Sequence, residues 1–245
     1  MRRIFIATVF TMVVASCSSV IFAQSDSRQA LLNEFETKRA DLATIEKKLL
    51  LPADEDRAAY ADFLRQPDTG VIRLLPRETY GSSSSNKGLL AINGGGAYYS
   101  FAHLTHEYGQ GSDIELQQGY LSVGFAGCDY GIILAGGAVS LDEVSLEHPS
   151  SFFLARYKPP DNEPQARVEQ RRFGTGDTIE GIKYGDRVKA EVGMTYVLRS
   201  ISYDRSDVLV ALKVVRQDTD GSLIIAWKLL QKFPKPELAR NIAAQ

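Results

Sequence analysis

The last third of the chain restricts its fold most. Tyr196–Tyr203, Val208–Arg216 and Leu223–Phe233 read as three consecutive strands, with connections too short to hold a helix. On the last of them Leu223, Ile225, Trp227, Leu229 and Phe233 share one parity and Lys228 and Lys232 the other, so strand alternation sends one face into a core. Burying those five side chains is worth roughly 1.5–3 kcal/mol each before conformational entropy is charged against it. The middle segment is apolar on both faces apart from Lys213, which predicts a central strand. Asp218-Thr219-Asp220-Gly221 supplies a type I turn with a glycine bulge.

Upstream, Val71–Leu75 is a short strand ending at Pro76. Leu89–Ile92, Ala97–Leu104, Ile114–Gln118, Tyr120–Phe125 and Tyr130–Leu134 are further strand candidates between glycine-bearing turns. Residues 81–88 form a serine-rich loop, and 158–166 a proline-rich excursion expected to be exposed and mobile. The N-terminal part has a helical period instead. Leu31, Phe35, Leu42, Ile45 and Leu49 recur at alternating four- and three-residue spacings, with Lys38 as the exception, across Ser25–Leu51. Ser25 or Ser27 can cap that helix and Pro52 ends it; a second helix runs from Ala53 or Asp54 to Leu64. The expected class is α+β: a two-helix arm over 24–66, then a largely antiparallel β-sandwich or open barrel-like domain over 67–245. The stripe on the first helix also suits self-association.

Residues 1–23 have the form of an export signal: Arg2 and Arg3, the apolar run Ile4–Val14, then small residues up to Ala23. Val14-Ala15-Ser16-Cys17 resembles the bacterial lipobox, which implies lipidation at Cys17 as the alternative to cleavage after Ala23. The run to Ala23 is also close to the roughly 20 residues of a membrane anchor. The expected location is extracytoplasmic, periplasmic or secreted, with membrane contact only through the leader or a lipidated Cys17. Without Arg2 and Arg3, 26 basic residues face 30 acidic ones, a balance that argues against nucleic acid as a partner. Cys128 is then the one remaining cysteine when Cys17 leaves with the leader or is lipidated, so no intrachain disulfide is expected.

The densest group of ligand-type side chains is Tyr98, Tyr99, His103, His106, Glu107, Tyr108 and Asp113. Two histidines three apart with carboxylates nearby are zinc-ligand types, but on a strand positions 103 and 106 point to opposite sides. No metal is therefore expected. Gly94-Gly95-Gly96 is followed by strand-like residues rather than a helix N-terminus, and Asp218-x-Asp220-Gly221 lacks the later ligands of a calcium loop. No cofactor motif and no nucleophile elbow is present. The tyrosines, interleaved with amides and carboxylates, instead suit a glycan or an extended peptide. The expectation is an exported, non-catalytic binding or envelope-associated protein. The competing expectation is a metal-dependent or acid/base hydrolase centred on 103–113.

Overall fold

The computed structural model describes residues 4–81 and 92–239 apart from 107, 110 and 126, and over 4–26 the course of the backbone only. The strand candidate Leu89–Ile92 and the serine loop thus fall almost wholly outside the described residues, as does Glu107. The chain forms two compact units, the first ending at Leu49 and the second beginning at Leu50.

The first unit is made by helix α1, Ile4–Leu50, all but its last residue; the helix runs unbroken through Ser25 and Ser27, so neither serine caps a helix start. Lys47 and Lys48 sit in its last turn, where cations favour the dipole's negative end. Its stripe of Leu31, Phe35, Leu42, Ile45 and Leu49 is exposed. Among the described residues no helix is long and apolar enough to cross a membrane.

The second unit is mixed helix and antiparallel sheet. Helix α2, Asp54–Ala59, has three acidic residues in its first turn and is shorter than expected. After Tyr60 the chain tightens into a 3-10 turn, Phe63–Arg65, which sets the Phe63 ring edge-on to Tyr60 at 6.0 Å. The strands are β1 (Thr69–Leu74), β2 (Tyr98–Tyr99), β3 (Ile114–Gln117), β4 (Tyr120–Ser122), β5 (Tyr130–Gly137), β6 (Asp177–Ile179), β7 (Ile182–Tyr184), β8 (Arg187–Lys189), β9 (Thr195–Ser202), β10 (Ser206–Gln217) and β11 (Leu223–Lys232). They build a five-stranded sheet in the order β1-β11-β10-β9-β5, a four-stranded sheet β2-β3-β4-β8, and the hairpin β6-β7. The β9–β11 meander is thus as expected, with β10 in the middle of its sheet. The turn after it closes through Asp218 N–H to the Ser222 carbonyl at 2.8 Å.

Both faces of the large sheet are buried, and strand parity sorts them. Val208, Val210, Leu212, Ile225 and Trp227 meet the small sheet's Tyr99, Ile114, Leu116 and Leu121 in one core. Leu209, Ala211 and Ala226 face a second core with Leu154, Ala166 and Phe173. That second face corrects the one-sided reading of β11: Lys228 lies half-buried, and Phe233, expected beside Trp227, packs in the second core instead. A register shift between Leu209 and Val210, against β11, breaks the simple alternation before Phe233 is reached.

A one-turn helix, α3 (Arg77–Tyr80), follows β1, and the second core is covered by two helices with no counterpart among the sequence expectations, α4 (Pro149–Arg156) and α5 (Glu163–Thr175). Of the proline-rich excursion, residues 163–166 form the start of α5, while 158–162 lead into it as irregular chain. Asn162 Oδ1 accepts the Gln165 N–H at 3.1 Å and Pro164 occupies the first turn, where a missing N–H costs nothing. The Tyr203 hydroxyl donates to the Pro160 carbonyl at 2.7 Å, tying the segment to the sheet. Beneath it, Arg199 and Asp207 form a buried pair whose guanidinium also donates to the Leu154 and Tyr157 carbonyls. On the far edge, Asp218 accepts from Arg73 and Arg216, and Arg216 reaches Asp56.

Candidate functional site

Most of the side chains singled out between 98 and 113 are consumed inside the fold. Tyr98 and Tyr99 are buried in the short strand β2, and Ala97–Leu104 does not continue as a strand. The chain turns back at Leu104, whose φ is +57°, to make the isolated bridge Ser100–Thr105. Asp113 organises that turn. Its Oδ2 accepts the Phe101 N–H at 2.6 Å, the Ala102 N–H at 3.3 Å and the Ser100 hydroxyl at 3.3 Å. Its Oδ1 has no hydrogen bond of good geometry, although the Ser200 hydroxyl is close enough to favour the charged form. Burial nevertheless pushes the Asp113 carboxyl up, against those donors. Burial, with Asp113 nearby, likewise raises the Tyr99 hydroxyl to about 12.

The histidines do not converge. His103 Nδ1 lies 3.1 Å from Ser100 Oγ, and that hydroxyl, fully buried, sits between His103 and Asp113. A nucleophilic relay needs the imidazole in the middle and an accessible hydroxyl, so this cluster stabilises the turn instead. His106 turns the other way, Nε2 2.8 Å from the Arg73 carbonyl oxygen and its ring edge-on to Tyr99 at 4.9 Å. Among the described residues no group of three or more His, Cys, Asp or Glu is placed to hold a metal ion.

His106 gives a measurable consequence. Its pKa is lowered from 6.5 by burial, only partly opposed by the Arg73 carbonyl. The unfolded chain therefore takes up the proton first, and stability carried by the neutral ring is lost as pH falls below 6.5 towards the folded value. His106→Gln cannot titrate. The stability gap between the wild type and this variant, from urea unfolding between pH 8 and 5, is expected to be flat above neutrality and to shrink below pH 6.5. The limiting slope is about 1.4 kcal/mol per pH unit. A gap that does not change with pH rules out a buried neutral ring.

What the 98–113 segment does build is one wall of an open recess. Tyr98 is the backing: its hydroxyl donates to Glu115 Oε1 at 2.7 Å, Arg77 Nη1 reaches the same oxygen at 2.7 Å, and the ring supports two others. Tyr108 lies over it with centroids 4.6 Å apart, and Phe125 meets it edge-on at 5.5 Å. Burial and Glu115 together push the Tyr98 hydroxyl far up, so it stays protonated and donating. Tyr108 and Phe125 then face a cavity of about 230 Å³ whose remaining polar lining includes Ser112, Asp129, Ser200, Ser202 and Arg205.

The floor is glycine-built. A Cβ on Gly124, at φ +82°, would stand 2.6 Å from Gly131 N and 2.7 Å from Tyr130 Cα, so only glycine lets the loop lie this close to β5. Asp129 is fixed by the Tyr203 N–H at 2.9 Å and the Ser202 hydroxyl at 3.2 Å. Burial raises its carboxyl, opposed by those two donors and by the charge of Arg205. Ser200, Ser202 and Arg205 lie some ninety positions along the chain from Tyr108 and enter through the β9–β10 hairpin. No local pattern marks them; the one signal in the sequence is that Ser200, Ser202 and Arg205 sit, with Arg199 and Asp207, in a polar stretch of a largely apolar strand pair.

The recess therefore offers two aromatic faces, hydroxyls, one carboxylate and one guanidinium within a space the size of a single sugar ring or a short side chain. Comparisons with protein-family models, with characterised proteins and with solved structures return no match.

Proposed function

We propose that the protein is an exported, non-catalytic binding or envelope-associated module that takes a polar residue of a glycan, or of a peptide, in the recess between Tyr108, Phe125, Asp129 and Arg205. The observation that carries this reading is the Tyr98–Tyr108–Phe125 aromatic wall set opposite hydrogen-bonding groups that are already held in place. An aromatic face stacks on the apolar face of a sugar while fixed donors and acceptors select its hydroxyls. The hydrolase alternative draws less support, because Ser100, His103 and Asp113 are engaged in holding the turn and His106 faces the Arg73 carbonyl instead. The leader at 1–23 supports export, by cleavage after Ala23 or lipidation at Cys17. The exposed stripe on α1 supports self-association as part of the same reading. The large and small sheets, sharing one core, support an antiparallel sandwich in which β5 and β8 do not pair as strands.

An array of glycans and peptidoglycan fragments tests the binding reading. Wild-type protein is expected to be retained, and Tyr108→Ala and Asp129→Asn each to weaken retention about tenfold or more, the equivalent of one lost hydrogen bond to a charged group. Failure of the wild type to bind any member, or binding indifferent to both substitutions, overturns the reading.

A further inference from the structure

Besides sharing the first core, the large and small sheets are joined at this edge by one bridge, where Ile133 and Gly185, just before β8, exchange hydrogen bonds of 2.8 and 3.1 Å. Beyond that bridge β5 and β8 each keep a single strand partner, β9 and β4 respectively. The gap is not filled. It forms a groove of about 620 Å³ at the end of the core, distinct from the recess beside Tyr108. Its size lies in the range of small-molecule sites, roughly 300–1,000 Å³.

The groove has two chemistries. Ile133, Ala135, Ile182, Val188 and Met194 supply an apolar lining, with Tyr196 holding the end in shape: its hydroxyl accepts the Glu191 N–H and donates to the Lys189 carbonyl, both at 2.8 Å. The same lining carries Lys183, Arg187 and Lys189 against one carboxylate, Glu191. Arg187 has a loose partner in Asp186 at 3.6 Å. Among the described residues neither lysine has a carboxylate within ion-pair distance. Tyr120, 44 % exposed, adds an aromatic face. An apolar trough with an excess of cations matches a molecule with an apolar body and an anionic head, and an uncharged sugar would use neither feature.

We infer that this groove binds a single-chain anionic amphiphile, such as a fatty carboxylate or an alkyl phosphate. The chain lies against Met194, Ile182 and Val188 and the head is held among Lys183, Arg187 and Lys189. The site does not depend on the recess beside Tyr108, so either can fail alone.

Calorimetric titration with dodecanoate tests it, on the wild type and on the triple variant Lys183→Gln, Arg187→Gln, Lys189→Gln, whose substitutions fall at exposed positions and leave the core untouched. Dodecanoate is expected to bind the wild type, and the triple variant about tenfold more weakly, since exposed ion pairs contribute modestly each. Met194→Asp, at the half-buried trough, is expected to abolish the binding while Tyr108→Ala leaves it unchanged. Dodecyl maltoside, with the chain but no charge, is expected to bind about tenfold or more weaker than dodecanoate, and acetate, with the charge but no chain, to show no binding. Flotation with phosphatidylglycerol vesicles separates a monomeric amphiphile from a membrane surface. Recruitment to vesicles that dodecanoate does not compete for overturns the inference. So does silence towards dodecanoate, equal binding by the triple variant, or equal binding of dodecyl maltoside.

Discussion

Asp207→Ala is expected to remove about 3–5 kcal/mol of stability, because it strands a buried guanidinium rather than simply deleting a contact. The Arg199 and Asp207 side chains are 2 % and 1 % exposed. Arg199 Nε and Nη2 reach the two carboxylate oxygens at 2.8 and 2.7 Å, and Nη1 donates to the Leu154 and Tyr157 carbonyls at 2.6 Å each. The Phe233 ring closes over the guanidinium, 3.7 Å from its carbon. Without the carboxylate the cation stays enclosed with only carbonyl dipoles to replace water. For a domain of about 200 residues each kcal/mol moves the midpoint by about 2–4 °C, so the thermal transition is expected to fall by about 6–20 °C. The double variant Arg199→Met, Asp207→Leu is expected to lie between the wild type and Asp207→Ala: no charge is buried, yet two carbonyls lose their donor. Urea unfolding followed by circular dichroism decides it. A loss below about 1 kcal/mol for Asp207→Ala would place the pair in water and remove its structural role.

Trp227→Ala is expected to cost about 3–5 kcal/mol, through the cavity left at the centre of the first core. The ring is held between Phe101, at 5.3 Å between centroids, and Tyr99 at 6.5 Å, and its other side fits against Gly70 on β1. A Cβ at Gly70 would stand 2.6 Å from the indole, so β1 can pair with β11 here only by omitting a side chain. Neighbours this fixed cannot collapse into the vacated space. Trp227→Phe is expected to cost markedly less, because a ring still fills most of the volume and the buried indole N–H has no hydrogen-bond partner among the described residues to lose. The comparison is read by urea unfolding with circular dichroism, since Trp227 is the chain's one tryptophan and its fluorescence disappears with it. Equal losses for alanine and phenylalanine would mean that the site relaxes and the packing account fails.

The two substitutions act on opposite faces of the same sheet, and that division was half legible. The meander Tyr196–Phe233 could be read because a strand's alternation and a short turn are local properties. The odd-numbered face of β11 was legible to Trp227 and Leu229. The other face looked like a solvent face because Lys228 and Lys232 lie on it. Its cover, α4 and α5, was not legible: α5 buries only Ala166 and Phe173, seven residues apart, its one other large apolar side chain, Val168, is exposed, and most of the remainder is charged or polar. Two buried positions in thirteen residues leave almost no amphipathic period to detect. The same limit applies to the candidate site. Residues 98–113 were identifiable as dense in ligand chemistry, yet whether Tyr98, His106 and Asp113 point to solvent or inward depends on what packs against them. Of the residues in that segment whose side chains are described, Tyr108 and Ser112 reach the recess; Asp129, Ser202 and Arg205 arrive from the start of β5 and from the β9–β10 hairpin.

Residue type and spacing alone determined the helical stripe of Leu31 to Leu49, the antiparallel meander and the central place of β10, since each rests on local periodicity and on contacts between near neighbours along the chain. Tertiary structure alone decided which polar groups are spent on holding turns, which gather around an open recess, and where β5 and β8 part to leave a groove. Those outcomes depend on side chains separated by tens of residues being brought together, and a single sequence carries no record of that distance.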